Sequence, residues 1–186
     1  MKVCKFERMN NEDEVKQVIG CIQKEHPYVA VIPVLTQLQE WLQAISVSWF
    51  HEEDETSHTI VNAIEEYCRT LTDRLISDRK LNQDMKVQIE KCMEKIQVLV
   101  EDKADLLTDK IIKAEVYGLS NELFACCLRQ QGLRAQTLDT GKFMQINLER
   151  KPDIPYIKES VQQYISEKRD ADIFIAPLSL CKNVYG

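Results

Sequence analysis

Apolar and polar positions alternate along the chain in patterns that separate strands from helices. Val3, Cys4 and Phe6 form a short, nearly unbroken apolar run close to the first residue. Such a run predicts a strand buried on both faces and central in its sheet. Val15, Val18, Ile19 and Ile22 then recur at spacings of three and four, which predicts a helix capped by Asn11 and ending near Lys24. Tyr28 to Ile32 (YVAVI) reads as a second buried strand. A strand, a helix and a strand in so short a stretch predict a βαβ unit, with a right-handed crossover and parallel strands.

Beyond Pro33, the apolar positions Leu35, Leu38, Leu42 and Ile45 mark a helix through Trp41. The acidic run His51 to Glu55 has two readings. One is a hard-cation site, for which nothing enforces oxygen geometry; the other is a solvated loop leading into a helix cap at Thr56 or Ser57. From Thr56 to Asp109 there is no Gly or Pro, and the pattern is helical throughout. One stripe carries Ile60, Ile64, Cys68, Leu71 and Leu75; a second carries Leu81, Met85, Ile89, Cys92, Ile96 and Leu99. The two stripes predict an antiparallel helical hairpin over 56–103, inserted into a single domain that spans 1–186. Projecting from the sheet, the hairpin would serve as a dimerisation surface or lid, or else pack as an appendage. Ile111 to Gln131 is a further helix, stopped by Gly132. Strands at Leu133 to Leu138, Phe143 to Ile146 and Ile173 to Ala176 surround a helix over 152–168. The expected class is therefore α/β: a three-layer sandwich with a mainly parallel sheet.

Charge and composition narrow the partners. With 44% hydrophobic and 29% charged residues the chain can bury one good core, and its net charge of −6 offers no basic face for nucleic acid or an anionic membrane. No apolar run approaches the roughly 18 residues of a membrane span, and no signal or lipidation motif is evident, so a cytoplasmic location is expected. Seven cysteines, an odd number at mostly apolar positions, read as small buried hydrophobes in a reducing compartment. Neither CxxC nor any Cys/His spacing suggests zinc, so no metal site is expected. Phosphate-binding and nucleophile-elbow glycine motifs are absent, and His26, His51 and His58 leave few candidates for a histidine triad.

Four segments, in order, resemble one family. MKVCKFERMN is similar to the opening Met-Lys-Val-x-Lys-Phe-Gly-Gly-Thr-Ser of aspartate kinases (aspartokinases), members of the amino-acid kinase family. VAVIPVLTQLQEWL resembles their second strand and its glycine-containing turn, and SHTIVNAIEEYCRTL the start of their helical insertion. Asp109 through GLSNELFACCLRQQGLRAQTLDTGKFMQI resembles their Ser-x-Gly-Glu-x-x-Ser stretch, the helix after it and the Leu-Asp-Ala-Arg strand turn. The resemblance covers the amino-terminal part of the catalytic domain and ends before the family's glycine-rich nucleotide segment and regulatory domains.

In that family a phosphoryl group passes from ATP to the carboxylate of aspartate, a reaction that depends on electrostatic positioning by lysines and backbone amides. The resemblance puts Lys5 at the phosphate-binding lysine, although a strand-end surface lysine explains it equally. It also assigns Ser120 and Asp139 to substrate-binding positions. The departures cluster at the chemistry. Gly-Gly after the lysine is replaced by Glu7-Arg8, and Gly-Glu of the substrate motif by Val116-Tyr117. A Glu7 carboxylate about 4 Å from a phosphate would repel it by about 4 kcal/mol at an effective dielectric near 20. The expected protein is thus a degenerate aspartokinase-like domain without phosphotransferase activity. Its remaining role would be binding an amino acid or pairing with a second copy or partner subunit. The alternative is an aspartate kinase fragment or subunit, and only that reading implies ATP and Mg.

Overall fold

A computed structural model of the chain describes residues 2–7, 9–168 and 170–177. Its elements run β1 (Val3–Lys5), α1 (Glu12–Glu25), β2 (Val29–Ile32), α2 (Thr36–Phe50), α3 (Asp54–Leu75), α4 (Arg79–Glu101) and α5 (Leu106–Arg129). They continue with β3 (Ala135–Thr137), a 3-10 turn (Thr140–Lys142), α6 (Ile154–Ser166) and β4 (Ile173–Pro177). Short polar side chains fix most helix starts by accepting otherwise unpaired backbone N–H groups. Asn11 accepts from Glu14 N at 3.0 Å, Asp78 from Leu81 N at 2.9 Å, and Asp105 from Leu107 N and Thr108 N at 2.7 and 3.0 Å. Gly132, at φ 84°, takes the left-handed conformation that turns the chain from α5 towards β3.

All pairings in the four-stranded sheet are parallel, in the order β1-β2-β4-β3. The chain steps from β1 to β2 and on over β4 to β3, then reverses to reach β4. Right-handed crossovers put connections of opposite direction on opposite faces of a sheet. Accordingly α1 and α5 pack with Ala30, Ile32, Ile173 and Ile175 on one face, while α6 sets Val161, Tyr164 and Ile165 against Val29, Phe174 and Ala176 on the other. The class is α/β, as the periodicity predicts.

The hairpin of α3 and α4 forms, with its bend at Ile76–Asp78, but it does not project free. Its stripes face inward: α3 packs on α2 and α4 on α5, so Ile64, Cys68, Leu71, Met85, Ile89 and Ile96 are buried within one chain. Polar pins hold this bundle. Trp49 Nε1 donates to the Asp102 carbonyl at 3.0 Å, Ser46 Oγ to Asp109 at 2.5 Å, and Gln130 Nε2 to the Leu75 carbonyl at 2.6 Å. Burial pushes the thiols of Cys68, Cys92 and Cys127 up to about 12 and that of Cys126 to about 11, which suits packing and not nucleophilic chemistry. Cys181 lies outside the described residues.

Three sequence expectations need correction. Among the described residues β1 is an edge strand, paired with β2 alone, and Val3 is 53% exposed, so there it is neither central nor buried on both faces. A run of so few apolar residues reports hydrophobicity but not the number of neighbours. Phe143 to Ile146 is not a strand; a 3-10 turn and an isolated bridge between Ile146 and Pro152 stand there, because Asp139 caps the turn at Gly141. Finally, α3 starts at Asp54, within the acidic run, and Thr56 and Ser57 fall inside the helix.

Candidate functional site

Parallel α/β sheets bind ligands beyond the carboxyl ends of their strands, where the connections leave a crevice. In this protein those ends are Lys5 of β1 with the turn after it, the 33–36 segment after β2, and Asp139 after β3. Parallel pairing continues past Lys5, with Phe6 N donating to the Val31 carbonyl at 3.0 Å. The chain then turns inward. Met9 is fully buried, and its carbonyl accepts from Thr36 N at 2.9 Å, while Thr36 Oγ1 donates to Asn10 Oδ1 at 2.8 Å. Val34 and Leu35 close the other side and are also buried. The turn after β1 is therefore filled with side chain and tied to the first residue of α2.

One of its amides is committed as well. Asn10 N donates to Glu14 Oε2 at 2.7 Å, and Asn10 Nδ2 reaches the same carboxylate at 3.1 Å. Asn11 in turn caps Glu14 N, so the start of α1 forms a variant of the reciprocal capping box. The first turn of α1 also carries Glu12 and Asp13. A helix N-terminus can hold an external anion through free N–H groups and its dipole. Here three carboxylates of the chain itself crowd that position, and one of them occupies the turn.

The three sequence-derived positions do not converge. Lys5 is exposed, with no side-chain partner among the described residues, at one edge of the sheet. Asp139 is exposed beside the opposite edge strand, three strand spacings or about 14 Å away. Its side chain accepts from Gly141 N at 3.1 Å, a turn-forming role. Ser120 is buried on α5, and its Oγ has no hydrogen-bond partner among the described residues. Sealed inside the helix packing, that hydroxyl faces no opening. Val116 is fully buried and Tyr117 packs partly buried against the main core.

Asp139 does line a broad open cleft of about 960 Å³ between α4, α5 and the end of β3. Gly118 leaves bare backbone there, with no atom within 4 Å of where a Cβ would stand. Lys95 in its wall pairs with Glu115 at 2.6 Å, and Glu122 is held by Arg129. Nothing in the sequence marked this cleft, because its walls come from α4, α5, the turn after β3 and α6, which meet only in the folded chain. The occupied turn had a signal: the Asn11-x-x-Glu14 spacing is a capping pattern, but where the carboxylate lands depends on Met9 and Thr36.

Neither a protein-family model nor a curated protein sequence matches the chain. Solved structures do. Aspartokinase III of E. coli, in complex with lysine and aspartate in its T-state, superposes with a TM-score of 0.81 at 20% identity, covering 99% of this chain and 42% of that one. The fold is that of aspartokinases. The same enzyme with aspartate and ADP, in its R-state, gives 0.79 at 19% identity with the same coverage. Aspartate kinase of Clostridium acetobutylicum gives 0.72 at 12% identity, over 99% of this chain and 40% of that enzyme. The chain thus spans less than half the length of the aspartokinases it resembles. At such identities the likeness carries the fold, and the site must carry the rest. Among the described residues no helix is long and apolar enough to cross a membrane.

Proposed function

We propose that this is an aspartokinase-like domain that has lost phosphoryl transfer and works by binding, through subunit pairing or an amino-acid ligand. One observation carries the reading: the Glu14 carboxylate takes the Asn10 N–H, in the turn where the family resemblance calls for free amides around a phosphate. A second anion at the start of α1 meets Asp13 and Glu14, while Glu12 is already paired with Lys16 at 2.5 Å and Arg74 at 3.5 Å. Two unit charges about 4 Å apart at an effective dielectric near 20 repel by about 4 kcal/mol, roughly a thousandfold in binding. Met9 adds a steric bar, since opening the turn would expose a fully buried side chain.

The enzyme reading, an aspartate kinase fragment or subunit using ATP and Mg, draws on the exposed Lys5 and on the fold shared with an aspartokinase crystallised with aspartate and ADP. Thermal shift and calorimetry against Mg-ATP and aspartate separate the two. Ligand that binds only the folded state raises its stability by mass action. The expected result is no response to Mg-ATP at about 1 mM, a concentration matching a binding free energy near 4 kcal/mol. Micromolar Mg-ATP binding that disappears in Lys5→Ala would overturn the reading.

A further inference from the structure

We draw no further inference here: the strongest candidate, the apolar groove of about 330 Å³ between the β1 side of the sheet and α6, floored by Val3, Val29 and Val31, is walled in part by Pro177, the last described residue, and nothing in the structure shows what covers it.

Discussion

The two edges of the sheet are built from strands of equal length, three residues each, and they are finished in opposite ways. At β3, long cations from α5 and the end of α6 fold over the outward carbonyls, and Arg129 is itself held by Glu122, which also accepts from Thr137 Oγ1 at 3.3 Å. At β1 no described side chain bonds the outward backbone groups. Lys2, just before the strand, turns to Glu25 instead, donating at 2.5 Å to its carboxylate. β3 follows α5 closely, so a residue in the last turn of that helix can reach back over the strand.

The strongest challenge to the closed side is alkaline pH. The thiols of Cys68, Cys92, Cys126 and Cys127 lie in the bundle layer behind β3 and β4, with folded pKa values raised by burial above that of an unfolded cysteine. A raised folded pKa means that the folded state holds its proton more tightly. Its stabilising contribution is complete below about pH 8.5 and is lost as pH rises towards 12. Melting temperature should therefore fall steeply between pH 9 and 11, and a flat profile would show that these thiols are not sealed.

Arg129→Ala comes next. It strips the Ala135 carbonyl of its donor and leaves the largely buried Glu122 carboxylate without its cation, at a cost of about 2 kcal/mol. In a chain of this size that lowers the melting temperature by about 4–8 °C. The variant should also associate through its newly opened β3 edge, visible as species larger than those of the parent chain. Ser120→Ala on the same helix works the other way. Removing a buried hydroxyl that has no partner should raise stability by up to about 1 kcal/mol, measured by denaturant titration. A loss of similar size would mean that the hydroxyl is satisfied after all. The smallest effect belongs to the open side: Val3→Asp should change the stability of the monomer by less than about 0.5 kcal/mol, because Val3 is already half in water.

Legibility from sequence followed the same division. The helices were readable because each buries a stripe, and Val15, Val18 and Ile22 announce α1 without any knowledge of what they touch. The strand at Ile173–Pro177 was readable for its length and apolar character. The edge position of β1 was not, since Val3, Cys4 and Phe6 would look the same with a neighbour on either side. The absence of glycine after Lys5 was plain in the chain. What fills that turn required three dimensions, because Met9, Glu14 and Thr36 meet only once α1 and α2 are both docked on the sheet. The bundle was half readable: the apolar stripes of α3 and α4 were evident, but that α2 and α5 would cover them depends on tertiary packing.

The bond from the Trp49 indole to the carbonyl of Asp102 has a practical consequence. Trp49 is sealed in the bundle, and the molecule's other tryptophan, Trp41, stands on the same helix with its ring centroid 5.3 Å from that of Tyr67. Intrinsic fluorescence is therefore a gauge of the helical layer alone. A red shift in emission would register the loosening of α2 from its neighbours, while events at the first strand would pass optically silent.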